Sequence, residues 1–331
     1  MAAIGCPKYL RRKGITLSAR RFSLIVCGEG FEVLHMWRRS PDFFTVPILF
    51  CEFDFVDVSL AVLQMQRLRK FIESLPLGSQ RIFNHVCLSN FETTKLQYCL
   101  DLLRTVGETG CHAITTTGLA FQDAFTEGGE AHHRIFLEGI QELCLENCQL
   151  SHPQWMNFLS KLHIVSLREL TITGKTSMVA VYHFLSQHPD ICVLRLQGTA
   201  KDLPPPSPRL RLPSLRSLHG SSSQILHLLQ SLTSPPYLDE LVIACNSPAL
   251  SLLDEVTHCL AMSRGSLALE IRLSLKEASV TELTHANIYA PTAKVLALPC
   301  TVSTVYIEFE DACDKSILVR DLLPLTKLLM C

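Results

Sequence analysis

Apolar and polar positions alternate along this chain in short phrases that share one rhythm. Residues 140–150 read IQELCLENCQL, in which Ile140, Leu143, Leu145, Cys148 and Leu150 are the apolar positions. Because alternate residues of a strand point to the same face, the L-x-L part predicts a short strand with one buried face. The residues after it predict a turn, from which a helix brings the chain back to the next strand.

The phrase returns at steps of 27, 24, 24 and 23 residues. Its first positions are Ile140, Leu167, Ile191, Leu215 and Leu238. Weaker copies are FNHVCLSN and CHAITTTG upstream, and ALEIRLSL and VSTVYIEF downstream. Such a period, with the pattern LxxLxLxxCxL, resembles leucine-rich repeats of about 20 to 29 residues. We therefore expect an α/β fold: a leucine-rich-repeat-like solenoid with parallel strands on the concave face and helices on the convex face.

Helix-start signals lie between the predicted strands. Ser151 precedes HPQWMNFLSKL and Ser221 precedes SSQILHLLQSL, each with Gln three residues later, which is the spacing of a capping box. Thr176 or Ser177 is expected to begin a helix in the same way, and so is Ser251. Each of these segments has apolar residues three and four positions apart, as a helix packed on a strand requires.

Charge and hydrophobic pattern divide the chain into segments. Residues 1–21 hold six Lys and Arg and no acidic residue, which predicts a basic, poorly ordered N-terminus, with a targeting signal as the alternative. Residues 22–80 are expected to form an α/β capping region, with a helix near residues 59–75. Residues 81–331 form the predicted solenoid, interrupted by a Pro-rich surface loop at 202–213.

Composition excludes several classes of protein. With 30 Lys+Arg against 31 Asp+Glu, the chain has no overall attraction to nucleic acid or to an anionic membrane. The sequence contains no run of about 18 apolar residues, which is the length that a membrane-spanning helix needs. The 14 cysteines are scattered, many within apolar runs such as SLIVC, and no signal-peptide core precedes them. A reducing compartment, cytoplasmic or nuclear, is therefore expected.

Motifs for chemistry are weak. Gly28-Glu29-Gly30 lacks the rest of either phosphate-binding fingerprint, so a tight turn is expected there. Cys144 and Cys148, with His132-His133 nearby, are spaced like metal ligands, but the repeat phase places the two thiols on opposite faces. No sequence signature of a catalytic serine or of a metalloprotease is present. We expect no catalytic residue, no metal and no cofactor.

The residues that alternate with the buried L-x-L pairs should line the concave face, and a protein partner is expected to bind there. The face is mixed and polar, without the basic stripe of a nucleic-acid binder. The partner-binding residues predicted in this way are Glu142, Glu169, Thr171, Arg195, Gln197, His219, Glu240 and Arg272.

Three longer phrases carry a family resemblance: FEVLHMWRRSPDFF, LRELTITGKTSMVAVYHFLSQHPDICVLRLQG and LPSLRSLHGSSSQILHLLQSLTSPPYLDELVI. They resemble fungal F-box/leucine-rich-repeat-like proteins over roughly residues 20–310. The resemblance implies repeats that hold the substrate of a ubiquitin ligase. It covers the repeat region only, because no F-box precedes it in this sequence, and a role as a ligase adaptor is therefore not expected.

The predicted function is a non-enzymatic protein–protein interaction module, monomeric and intracellular, with an unknown protein partner and neither nucleic acid nor membrane as a ligand. Two alternatives stay open. One is an enzyme of unrecognised type with a Cys/His site in the N-terminal third. The other is a truncated or vestigial paralogue.

Overall fold

The structure is a computed structural model that describes residues 15–18, 23–27, 29–32, 48–55, 61–73, 83–90, 92–93, 96–121, 134–198, 200–201, 210–245, 264–275 and 302–309. The chain divides into two compact units, which we call unit 1 (Met1–His188) and unit 2 (Pro189–Cys331). Both units combine helices with parallel β-sheet, so the α/β class is confirmed.

The described part of unit 1 contains one large sheet, two small parallel pairs and four helices. The strands of the large sheet are β1 (Ile15–Ser18), β2 (Ser23–Cys27), β3 (Ile48–Asp54), β4 (Phe83–Ser89), β6 (Ala113–Thr117), β9 (Glu142–Glu146) and β11 (Glu169–Thr173). The short strands are β5 (Glu92–Thr93), β7 (Ala120–Phe121), β8 (Ile135–Leu137), β10 (Leu162–Ile164) and β12 (Thr176–Ser177). The helices are α1 (Ala61–Glu73), α2 (Leu96–Gly107), α3 (His152–Lys161) and α4 (Met178–Gln187).

The large sheet of unit 1 runs in sequence order, β1-β2-β3-β4-β6-β9-β11. All its neighbouring strands are parallel except β1, which is antiparallel to β2. Helices connect consecutive strands at α1, between β3 and β4, and at α2, between β4 and β6. The segment predicted to be a cap, residues 22–80, thus contributes β2, β3 and α1 to the same arrangement.

Unit 2 follows the same plan over its described residues. Its strands are β13 (Val193–Gln197), β14 (Ala200–Lys201), β15 (Ser217–Ser221), β16 (Tyr237–Cys245), β17 (Arg264–Leu275) and β18 (Val302–Phe309), with α5 (Ser222–Ser231) between β15 and β16. The sheet order is β13-β15-β16-β17-β18, and every pair is parallel.

The core follows the alternation that the sequence shows. In β9 the side chains of Leu143 and Leu145 are buried while those of Glu142, Cys144 and Glu146 are partly exposed, and β11 repeats this pattern. Helix α3 adds Trp155 and Phe158 to the apolar interior. Burying apolar side chains of this size contributes about 1.5–3 kcal/mol each, so the alternation itself holds each strand in its register.

Backbone hydrogen bonds repeat at both ends of the strands in unit 1. Before β9 and again before β11, two successive N–H groups donate to one carbonyl that precedes the neighbouring strand: Gln141 and Glu142 to His112, then Arg168 and Glu169 to Gln141. After β3, β4, β6 and β9, one N–H donates to the last carbonyl of the next strand in the sheet. These bonds are Phe55 to Ser89, Asn90 to Thr117, Gly118 to Glu146, and Asn147 to Thr173.

The predicted helix starts are confirmed where the structure describes them. The Ser151 N–H donates to Gln154 Oε1 at 2.8 Å, and the Ser221 N–H donates to Gln224 Oε1 at 3.0 Å. Between the two alternatives at the next helix, Ser177 is the N-cap, with its hydroxyl accepting from the Ala180 N–H. Ser251 lies outside the described residues.

Part of the segment predicted to be a basic, poorly ordered N-terminus is described in the structure. Ile15–Ser18 forms β1, which is antiparallel to β2. The basic residues of that segment, His132-His133 and residues 202–209 of the Pro-rich loop lie outside the described residues. Among the helices that are described, none is long and apolar enough to cross a membrane.

Candidate binding face

The strand residues that alternate with the core side chains form a second surface on the sheet of unit 1, which we call the polar face. The register aligns them in three rows. They are His85, Ala113, Glu142 and Glu169; then Glu52, Cys87, Thr115, Cys144 and Thr171; then Asp54, Ser89, Thr117 and Glu146. The carboxylate-bearing residues are partly exposed, whereas Cys87, Ser89 and Thr115 in the middle of the sheet are buried.

Hydrogen bonds between neighbouring side chains hold the carboxylates of the polar face in place. Ser89 Oγ donates to Glu52 Oε1 at 2.9 Å, and Asn90 Nδ2 donates to Asp54 Oδ1 at 2.8 Å. Further along the same row, Thr117 Oγ1 donates to Glu146 Oε2 at 3.2 Å. Donors that are already positioned reduce the side-chain entropy lost when another molecule contacts these groups.

Charge on the polar face of unit 1 is of one sign. Its carboxylates are those of Glu52, Asp54, Glu142, Glu146 and Glu169, and none of the seven strands of the sheet contains Lys or Arg. His85 is the histidine of these strands, and burial lowers its pKa, so that its ring is neutral near pH 7. Its Nε2 lies 2.8 Å from Thr115 Oγ1.

In unit 2 the corresponding surface carries a hydrogen-bonded cluster of Ser217, His219 and Glu240. Ser217 Oγ donates to Glu240 Oε2 at 2.7 Å, while His219 Nε2 lies 3.0 Å from the same carboxylate oxygen and 2.9 Å from Ser217 Oγ. A Ser–His–acid hydrolase site needs the carboxylate on the other ring nitrogen, opposite the serine. Here Ser217 and Glu240 both meet Nε2 of His219, and the cluster links β15 to β16.

Burial favours the protonated form of the thiols that the structure describes in unit 1. Burial raises the pKa of Cys51 and of Cys87. Burial also raises the pKa of Cys111 and of Cys148 to about 12 each. Because the thiolate is the form that attacks substrates and binds metals, these surroundings work against both kinds of chemistry.

Cys144 and Cys148 differ in their surroundings as the repeat phase predicts. Cys144 is partly exposed and donates to Glu146 Oε1, whereas Cys148 is buried. Within the part of the chain that the structure describes, no group of three or more His, Cys, Asp and Glu side chains is placed to hold a metal ion.

The residues predicted to bind a partner fall into two groups, one in each unit. Glu142 and Glu169 are register partners in unit 1, and Thr171 pairs with Cys144 in the next row. In unit 2, the row through Arg195, His219, Val242 and Arg272 is continuous, and Glu240 lies in the row before it. Gln197, the last residue of β13, is exposed.

Glu52 and Asp54 belong to the polar face although the sequence predicts a capping region at residues 22–80, which includes β3. The signal was present in FCEFDF, where acidic residues alternate with apolar ones as they do in β9. His219 and Glu240 are among the predicted residues, but the hydrogen bonds that join them to Ser217 depend on side-chain rotamers that no sequence pattern gives.

No protein-family model matches the chain, and no curated protein matches it.

Proposed function

We propose that this chain is a non-enzymatic protein-interaction module, built as a leucine-rich-repeat-like solenoid whose binding surface is formed by the polar faces of its strands. Repetition supports the proposal. Paired N–H donors precede both β9 and β11, and one N–H bond to the next strand of the sheet follows each of β3, β4, β6 and β9. The Ser-x-x-Gln start of α3 recurs at α5. Repeats of one structural unit stacked side by side are what a solenoid requires.

The polar face is the observation that carries the proposal. It combines partly exposed charged, hydroxyl and thiol groups on a rigid parallel sheet, a mixture found where proteins contact one another. The absence of Lys and Arg from the strands of unit 1 argues against nucleic acid as the ligand, since the phosphate backbone requires basic contacts. The likeness of the repeats to substrate-binding repeats of F-box proteins agrees with this reading and is itself part of the proposal.

Site-specific photo-crosslinking tests the binding surface. A photoreactive residue is placed at Thr171 in unit 1 or at Gln197 in unit 2, both on the polar faces, and at Glu138 as a control away from them. We expect a discrete protein to crosslink from the polar-face positions and not from Glu138. The captured protein, once purified, should then bind the full chain saturably.

Reversing one charge on the polar face of unit 2 provides a second test of the binding surface. Arg195→Glu lies on the polar face of unit 2, and Arg211→Glu makes the same charge change at an exposed position of unit 2 outside its strands. Arg195→Glu should weaken binding of the purified partner at least about tenfold, as loss of a contact near the centre of an interface does. If the partner crosslinks only from Glu138, or if the two variants bind equally, the polar face is not the binding surface.

A further inference from the structure

Unit 1 combines an acidic surface with a basic stretch of sequence. The polar face carries five carboxylates and its strands carry no Lys or Arg. Residues 1–14, which precede β1 and lie outside the described residues, hold Lys8, Arg11, Arg12 and Lys13 and no acidic residue. The chain thus contains both a surface and a segment of complementary charge.

The register of β1 fixes where that segment joins the sheet. Because β1 is antiparallel to β2, its first residue, Ile15, pairs with Val26 near the carboxyl end of β2. The next residue of β2, Cys27, pairs with Asp54 of β3. The row that begins at Asp54 continues through β4 and β6 to Glu146. Residues 1–14 therefore join unit 1 at the end of the sheet where these two carboxylates lie.

We propose that residues 1–14 dock on the polar face of unit 1 and occupy the surface that a partner would use. The inference rests on the proposed function, because it assigns that face as the binding surface and adds an occupant that a partner must displace.

Distances along the segment match distances across the sheet. Arg12 precedes Ile15 by three residues, about 10 Å of extended chain, and β3 lies two strand spacings from β1, also about 10 Å. Lys8 precedes Ile15 by seven residues, about 23 Å, and β9 lies five spacings away, about 24 Å. The Arg11–Lys13 cluster can thus reach Glu52 and Asp54 while Lys8 reaches Glu146.

Attachment to the same chain strengthens contacts that are weak one at a time. Ion pairs between exposed groups contribute little individually, but a tethered segment has an effective concentration in the millimolar range. Salt at about 1 M shortens the Debye length to about 3 Å, so that it should release the segment.

Limited trypsin digestion of the full chain tests the docking, since trypsin cleaves after Lys8, Arg11, Arg12 and Lys13. At low ionic strength we expect these cuts, followed by mass spectrometry, to be roughly tenfold slower in wild type than in Asp54→Asn/Glu146→Gln. These substitutions remove the charge and keep an oxygen that Asn90 and Thr117 can donate to. Wild type in about 1 M NaCl should lose the protection without any substitution.

Glu108→Gln/Glu138→Gln is the matched control, because it removes the same charge at exposed positions outside the polar face. It should digest as slowly as wild type, with thermal unfolding shown to be unchanged in both double variants. Equal cleavage rates in wild type and Asp54→Asn/Glu146→Gln, or protection that survives 1 M NaCl, would overturn the docking.

Dilution separates this segment from one donated by a second copy of the chain. Protection that persists on tenfold dilution of the protein supports docking within one chain, and protection that disappears overturns it. No partner takes part in this digestion. If the digestion shows no protection, the docking is wrong, but the proposed binding surface is still tested by the crosslinking experiment. If the crosslinking finds no partner, the digestion result still stands.

Discussion

Single residues at the ends of the strands decide how neighbouring strands stack. Asn90, Gly118, Asn147 and Gly174 each follow a strand of unit 1, and all have positive φ angles between 50° and 89°. Asn90, Gly118 and Asn147 also donate their N–H to the last carbonyl of the next strand. The hydrophobic pattern of the sequence does not show which residues take this left-handed conformation. Gly adopts that conformation without strain and Asn does so more readily than most residues, so two residue types fill one structural position.

Gly174→Ala should destabilise the protein more than Gly139→Ala does. Both glycines have positive φ, +89° and +81°, and alanine there costs about 1–2 kcal/mol of strain. A Cβ at Gly174 would also lie 3.1 Å from Asn147 Cα, whereas a Cβ at Gly139 meets nothing within 4 Å. The free energies of unfolding in urea measure both effects. Equal losses would mean that the stacking contact does not constrain Gly174.

Whole elements were the part of the fold that the sequence predicted best. The L-x-L phrases mark β9, β11 and β13, and the Ser-x-x-Gln phrases mark the starts of α3 and α5, because each element needs a periodic apolar face and a cap. Short strands such as β8 and β10 were missed. Three residues carry too little periodicity, and their pairing depends on contacts between distant segments.

One buried histidine joins two elements of unit 1. His188, directly after α4, accepts the Ile164 N–H of β10 at Nε2 (3.1 Å), and its Nδ1 lies 2.8 Å from the Phe184 carbonyl oxygen. This pattern requires the neutral ring with its proton on Nδ1. Burial lowers the pKa of His188 below its ordinary value of 6.5. The unfolded chain therefore takes up the proton first, and stability is lost as the pH falls below about 6.5.

Replacing His188 should remove this stability and its pH dependence together. At pH 7.5, His188→Ala leaves the Ile164 N–H without its acceptor and should cost roughly 1–3 kcal/mol. Between pH 6.5 and 5 the difference in the free energy of unfolding between wild type and His188→Ala should narrow, because only wild type carries the titrating ring. His183→Ala, an exposed position of α4, is the control. Urea unfolding at pH 7.5 and at pH 5 provides the measurement. A difference in the free energy of unfolding that stays constant between these pH values would contradict the assigned tautomer.

At the scale of the whole molecule, the stability of the protein should depend on the buried thiols that recur among the described residues of unit 1. Cys51, Cys99, Cys111 and Cys148 are buried free cysteines, and burial raises the pKa of each above 9.0. Such a group contributes stability that is complete below the pKa of the unfolded thiol and decreases above it, because the unfolded chain ionises first. The molecule as a whole should therefore lose stability at alkaline pH.

Wild type should become less stable from pH 9 upward, and each buried thiol should add about 1.4 kcal/mol per pH unit to the slope. Cys148→Ala removes one such group, so its stability should fall less steeply than that of wild type between pH 9 and 11, where the pKa of about 12 keeps the folded thiol protonated. Unfolding in urea with reductant present gives both slopes. Parallel slopes would show that Cys148 ionises in the folded protein.

The side chains of every strand alternate between the core and the polar face with a period of two residues. Removing Cys144 alone would turn Glu146 toward the interior and Leu145 toward the surface, because all later residues of β9 would change sides. Removing two adjacent residues, or a complete strand with its helix, would keep this alternation. Insertions and deletions should therefore be tolerated between the strands. The connections between strands already differ in length: residues 174–192 separate β11 from β13, whereas the longer stretch of residues 276–301 separates β17 from β18.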